Sequence, residues 1–295
     1  MVRSISKGSR IFDFFNYLVL TILMLSCFYP LWYTLCVSLS SKAAAGAGFV
    51  TFYPIGFTIT SYVTIVADRL FLNSFWISIQ RVVLGTGITL MVILMMAYPL
   101  SKARREFKLR NIFMWFVIFC MIFNSGLIPW YLTMQNYDLI DSIWGLVLGG
   151  SLPVFNVILM MNFFRNLPKD LGEAALVDGA GPWSILFKIY IPCSTPVIAT
   201  IVLFTSVYHW NEFFHGLILM NSSNKYPLQT YIQQLVVAIP AGTPITPEQY
   251  MRMSELSNQS LNAAKVFIAM IPMLIVYPFL QKYFVTGITL GAVKE

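Results

Sequence analysis

The sequence predicts an all-α integral membrane protein with six transmembrane helices. Of its 295 residues, 58% are apolar and 11% charged, against about 45–50% and about 25% in soluble domains. Mean hydropathy is +0.72. The apolar residues gather into six runs, each long enough for the roughly 20 helical residues that cross about 30 Å of hydrocarbon. Backbone groups in hydrocarbon must pair internally, which leaves helices or closed barrels. The alternating segments of a barrel, each about ten residues long, are not seen.

The runs lie near 12–38, 74–100, 111–133, 143–164, 197–220 and 264–286, within a single transmembrane domain, 1–295. Arg3, Lys7 and Arg10 precede the first run as in a signal peptide, and Ser26-Cys27 faintly resembles a lipoprotein cleavage site. The run continues through Tyr29-Pro30-Leu31-Trp32 to Val37, longer than a signal core of about 7–15 residues, so a retained span is expected. The loop at 39–73 carries Gly46, Gly48, Pro54 and Gly56, which predict an irregular connection before a short amphipathic piece around Tyr62–Leu72. The loop at 221–263 is polar and holds Pro227, Pro240, Pro244 and Pro247. Within it, Leu228, Tyr231, Ile232 and Leu235 have helical spacing. No internal repeat argues for an inverted-repeat carrier.

The formal charge of +7 sits in short loops beside apolar runs rather than on a nucleic-acid face. Arg3, Lys7, Arg10, Lys102, Arg104, Arg105, Lys108, Arg110, Arg165, Lys169, Lys188, Lys282 and Lys294 fall on one side, against Lys42, Arg69, Lys225 and Arg252 on the other. The positive-inside rule then places both termini and the segment 165–196 in the cytoplasm, with 39–73 and 221–263 outside. Cys27, Cys36, Cys120 and Cys193 are scattered; no disulfide and no metal site is expected.

The cytoplasmic segment begins at Pro168, which suits a first helical turn. Leu171, Ala174, Ala175 and Asp178 follow at i, i+3, i+4 and i+7, and Glu173 gains from the helix dipole. Gly179 and Gly181-Pro182 stop this helix and permit a sharp corner. A second helix then aligns Trp183, Leu186, Phe187 and Tyr190, a stripe for the membrane interface or the underside of the bundle. A short helix anchored at both ends can receive a partner, or it can simply cap the bundle. Its spacing leaves both open.

The stretch FFRNLPKDLGEAALVDGAGPWSILFKIYIPCSTP resembles the EAA signature of ABC importer permeases, F-x-x-I/L-P-x-x-L-x-E-A-A-x-x-D-G-A followed by I-x-L-P-x-x-x-P. One departure, Tyr190-Ile191-Pro192, is conservative. The resemblance covers nearly the whole chain, through Tyr29-Pro30-Leu31, Ile128-Pro129, Trp210-Asn211-Glu212-Phe213-Phe214, Tyr226-Pro227-Leu228 and the ending Gly287-Ile288-Thr289-Leu290-Gly291-Ala292-Val293-Lys294. It is similar to the smaller permease of maltose-type importers, in the branch for complex oligosaccharides that includes polygalacturonan and lipoprotein-type permeases.

That resemblance implies a type I ABC importer permease in a bacterial cell membrane. The chain would form half of a heterodimeric oligosaccharide pathway with a second permease, two copies of an ATP-binding subunit and a solute-binding protein. Glu173, Ala174, Ala175, Asp178, Gly179 and Ala180 would dock on the ATPase, and Gly287, Thr289, Gly291 and Lys294 would reach it from the C-terminal end. The chain has no G-x-x-x-x-G-K-[ST], so ATP would be handled by another polypeptide. The expected role is transport without covalent chemistry and without a cofactor.

Polar groups inside spans are functional candidates. His209, Trp210, Asn211 and Glu212, followed by His215, cluster in the fifth run, and Asn124 and Asn156 lie in the third and fourth. They suit either a polar pathway wall that meets sugar hydroxyls or hydrogen bonds between helices. The His-Glu-His spacing is not that of H-E-x-x-H. Arg81 could snorkel from the second run, or it could face the pathway and favour anionic sugars. Permeases for other solutes, ion-coupled carriers, channels and intramembrane enzymes are the rival classes. Gly149-Gly150-Ser151 lacks the last glycine of a nucleophile elbow.

Overall fold

The protein is described from a computed structural model, which covers residues 7–123, 125–150, 152–236 and 258–292. Its helices in order are α1 (Lys7–Ser38), α2 (Lys42–Gly46), α3 (Thr60–Ala67), α4 (Arg69–Ser101), α5 (Arg110–Ile122), α6 (Leu127–Asn136), α7 (Ile143–Leu148), α8 (Val154–Asn166), α9 (Lys169–Val177), α10 (Pro182–Ile185), α11 (Ile191–Cys193), α12 (Thr195–Asn211), α13 (Phe214–Leu219), α14 (Leu228–Val236) and α15 (Gln259–Ala292). A π turn, Leu186–Tyr190, joins α10 to α11. The predicted all-α class is what the chain adopts, and the helical spacing seen after Pro227 becomes α14.

Among the described residues, three helices are long and apolar enough to cross a membrane: Gly8–Ser38, Arg69–Ser101 and Gln259–Pro278. The other expected spans are interrupted. The run near 111–133 is α5 and α6, which meet at a bend of 113° beside Gly126, whose φ is +80°. The run near 143–164 is two shorter helices, α7 and α8, parted around Gly149, Gly150 and Pro153. At 13 residues, α8 is about 20 Å long. The run near 197–220 ends its main helix at Asn211 and restarts at Phe214. Hydropathy averages over a window and ignores the local breaks that glycine and proline make. The helix that holds the run near 74–100 begins at Arg69.

The chain divides into two compact units. One comprises Met1–Arg69 and Gln234–Ile271. There α1 carries an apolar run after its charged first turns, with none of its most hydrophobic window buried. A serine network closes its C-terminal end. Ser40 Oγ donates to the Cys36 carbonyl at 2.6 Å and accepts from the Ile55 amide at 3.0 Å. Ser260 Oγ donates to the Ser40 carbonyl at 2.8 Å and meets Ser61 Oγ at 2.9 Å. Lys265, its side chain 1% exposed, pairs with Asp68 at 2.8 Å, so a lysine in the sixth run is neutralised where it is buried.

The second unit comprises Leu70–Gln233 and Pro272–Glu295. Its core is built by Ile93, Ala97 and Leu100 of α4, Val157, Met160 and Phe164 of α8, Ile185 and Leu186 at the π turn, and Ile201 of α12. A second fastening is polar. Arg81, fully buried, donates from Nε to the Leu146 carbonyl at 3.1 Å and from Nη1 to the Glu212 carbonyl at 2.7 Å. Its Nη2 donates to the Glu212 carboxylate. Oε1 of that carboxylate accepts the His215 amide at 2.9 Å, and Oε2 lies 3.1 Å from His215 Nδ1. The guanidinium thus ties α4 to α7 and to the break between α12 and α13. Arg81 is therefore neither snorkelling nor facing a pathway.

Removing one partner of a buried pair leaves the other charge uncompensated, at a cost of about 3–5 kcal/mol. Arg81→Met is expected to lower the thermal unfolding midpoint in detergent markedly, and Arg81→Met with Glu212→Gln to recover part of the loss. A midpoint unchanged in the single variant would contradict this role.

Candidate functional site

The segment after α8 holds the EAA residues. Pro168 stands just before the helix at its N-cap rather than in its first turn, and α9 is capped by Asp178, whose amide donates to the Ala174 carbonyl. Gly179 follows at φ +77°, the left-handed conformation that closes a helix, and the Ala180 amide returns to the Ala175 carbonyl at 2.9 Å. Only glycine adopts this φ without strain, which is why the corner falls there.

The helix separates the six expected docking residues. Glu173, Ala174, Asp178 and Gly179 are exposed, Ala180 is half-buried, and Ala175 is buried. Ala175 belongs with Gly172 on the inner face and packs in the core of its own unit. Two small residues let α9 lie close on the bundle, so the alanine read as part of the outer face serves the inner one. Leu171, Leu176 and Val177 are exposed, Val177 at 88%, which leaves an apolar strip beside Glu173. The aromatic stripe of the next helix also divides. Tyr190 and Leu186 are buried, whereas Trp183 and Phe187 stack on each other in the open at 6.2 Å. A π turn carries more residues per turn than an α-helix and shifts the faces out of register.

A cavity of about 430 Å³ lies between α4, the α7–α8 break and α12, within the range of about 300–1,000 Å³ typical of small-molecule sites. Two of the expected pathway residues share it, Asn156 and His209. Thr89, Phe204 and Tyr208 line it too. His209 is 4% exposed, and its buried Nδ1 has no hydrogen-bond partner among the described residues. The other edge of its ring rests on Gly85, where a Cβ would come within 2.5 Å of Nε2. Glycine at this place in α4 is what admits the imidazole.

The remaining candidates disperse. Trp210 turns away into a buried edge-to-face contact with Phe75 at 5.8 Å. Asn211 is exposed, and Glu212 is committed to Arg81 and His215. Asn124 lies outside the described residues. Gly287, Thr289 and Gly291 continue α15 as helix to Ala292, and Lys294 lies outside the described residues. Among the described residues, no group of three or more His, Cys, Asp or Glu side chains could hold a metal ion.

Sequence reasoning missed Thr89 and Tyr208 of the cavity wall. A lone threonine or tyrosine in an apolar run carries no signal until the helices are packed. The Arg81–Glu212 pair did carry one, because opposite charges in two spans generally find each other.

Residues 89–290 match the family described as binding-protein-dependent transport system inner membrane component. The chain is 37% identical to Protein LplC of Bacillus subtilis over 98% of its own length and 97% of that protein's. It is 34% identical to the polygalacturonan/rhamnogalacturonan transport system permease protein YtcP of the same organism, covering 97% of this chain and 99% of that one. A solved chain from a bacterial ABC transporter involved in the import of the acidic polysaccharide alginate superposes with a TM-score of 0.86 at 34% identity, over 96% of this chain and all of that one. The chain, a membrane transport subunit and not an enzyme, belongs to the family of inner-membrane permease components of binding-protein-dependent ABC importers.

Proposed function

We infer that the chain is one half of a translocation pathway for an oligosaccharide, paired with a second, different permease chain. Two copies of an ATP-binding subunit dock on its cytoplasmic side, and a solute-binding protein delivers the sugar from outside. The observation that carries this reading is α9. One face is seated in the bundle through Gly172 and Ala175, and the other offers Glu173, Ala174 and an exposed apolar strip to a partner. Relatives named for polygalacturonan and for alginate support a saccharide as cargo. The last turns of α15, with Gly287, Thr289, Gly291 and the following Lys294, are a second contact with the ATPase.

The orientation is six spans with both termini in the cytoplasm, a reading supported by the distribution of Lys and Arg. Lys225 pairs with Asp141 at 2.6 Å, joining two loops that the charge distribution puts outside. Its ammonium, with the Asn221 amide, holds the Asp141 carboxyl below its ordinary range. On the inner side, Arg110 Nε and Arg165 Nη2 both donate to the Leu100 carbonyl, at 3.0 and 3.3 Å.

Asn156 and His209 mark the pathway wall. Thr89, Tyr208, Asn156 and the His209 ring line the same cavity as the ring of Phe204, a mixture of polar and aromatic groups suited to a sugar's hydroxyls and its apolar face. The carrier reading is disfavoured because Arg81 and Glu212, the charges it would use, neutralise each other.

Glu173→Lys and Gly179→Asp are expected to abolish co-purification of the ATPase and sugar uptake while leaving membrane insertion intact. Uptake at the wild-type rate in both would refute the docking role. Filling the cavity with Thr89→Trp is expected to slow uptake by about tenfold or more, the equivalent of about 1.4 kcal/mol, with the ATPase still bound. Unchanged uptake would remove the cavity from the pathway.

A further inference from the structure

Beyond the docking face, the second unit holds a cluster that the transport reading does not use. Tyr190, buried at the end of the π turn, stands edge-on to Tyr98 of α4 at 5.1 Å and to Phe164 of α8 at 5.3 Å. Tyr98 and Phe164 close the triangle at 6.4 Å. Lys102, one residue past the end of α4, donates to Tyr190 Oη at 3.3 Å. Its ammonium lies over the Tyr98 ring at 4.7 Å and the Tyr190 ring at 4.8 Å, with Glu106 Oε2 at 4.0 Å. The same phenol faces Gly172 of α9, where a Cβ would sit 3.4 Å from Tyr190 Oη. One side chain therefore touches the buried face of the docking helix, the end of α4 and the end of α8.

We propose that Tyr190, held by Lys102, is the joint that carries motion of α9 to the ends of α4 and α8. The proposal rests on the reading that an ATPase docks on α9. Three features favour a joint over ordinary core packing. Aromatic edges, a phenol and an ammonium make directional contacts that fix relative orientation, which aliphatic packing does not. Gly172 lets α9 approach the phenol directly, so displacement of the helix meets Tyr190 without an intervening side chain. The π turn ends at this residue, and such local irregularities recur at functional positions. Around the joint, Arg110 and Arg165 hold the Leu100 carbonyl, so the end of α4 moves as one piece with the start of α5 and the end of α8. Lys102 and Tyr190 are positioning residues, since neither lies on the exposed docking face.

The test uses the assembled importer: this chain with its partner permease and the ATPase that co-purifies. In a background lacking Cys27, Cys36, Cys120 and Cys193, Phe204→Cys places a reporter on the cavity wall. Its labelling by N-ethylmaleimide is followed with and without ATP plus vanadate. In the parent complex, trapping nucleotide is expected to change the labelling rate. Lys102→Met keeps the stem without the cation, and Tyr190→Phe keeps the ring without the hydroxyl. Both are expected to retain ATP hydrolysis and ATPase co-purification, while the labelling response shrinks by about fivefold or more, a typical coupling between sites. Lys102→Arg, which keeps the cation over the rings, is expected to preserve it.

An undiminished response in both conservative variants overturns the joint, as does a parent complex whose labelling ignores nucleotide. Loss of co-purification together with the response would show that these residues merely hold the docking face. If no ATPase accompanies the parent chain, the docking reading fails and the joint fails with it.

Discussion

A guanidinium in an apolar helix is tolerable only when its charge and its donors are met, and Arg81 sets that constraint on the second unit. Its partners come from the two places where the backbone is broken. The Leu146 carbonyl belongs to the short helix before the Gly149–Pro153 interruption, and Glu212 stands in the gap after Asn211. Breaks of this kind leave carbonyls without helical partners, a heavy penalty in hydrocarbon unless something donates to them. Arg81 donates to one such carbonyl at each break. The ion pair and the interrupted helices therefore explain each other, since the charge would be too costly without the freed acceptors and the acceptors too costly without the charge.

The class of fold was legible in composition and in the length of the apolar runs, because both follow from the solvent that the chain must satisfy. The breaks were less legible. Gly149, Gly150, Pro153 and Gly126 are visible breakers, yet they lie inside runs whose mean hydropathy demands a span. A mean cannot say that the chain turns. Nor could spacing decide which side of α9 faces outward. Its small residues occur on both faces, so Ala175 fits an outer docking surface as well as the inner one it occupies. The glycine corner at Gly179 was readable because a single steric rule governs it.

Within the candidate site, proximity in sequence misled and proximity in space informed. His209, Trp210, Asn211 and Glu212 are consecutive, and successive helical residues are about 100° apart, so four neighbours cannot share a wall. One lines the cavity, one is packed away, one is exposed, and one balances Arg81. Asn156, some fifty positions earlier in the chain, lines the same cavity as His209. Tyr190 shows the same lesson from the other side: a residue read as one of an aromatic stripe is set apart from Trp183 and Phe187 by a single π turn.

The continuity of α4 has a mechanical meaning. At 33 residues it is about 50 Å long, well beyond the roughly 30 Å of a hydrocarbon core. Pro99 is its only internal proline and falls in the final turn, so the rest of the helix has no hinge of that kind. Such a rod acts as a lever: with an arm of about 30 Å from Arg81 to its end, a tilt of about 5° displaces that end by roughly 2.6 Å. Arg81, about a third of the way along, stands where a fulcrum would, and the cavity wall lies on the arm between it and Lys102. Small displacements at the Lys102 end would therefore arrive at the cavity wall with their direction fixed and their size set by distance from Arg81.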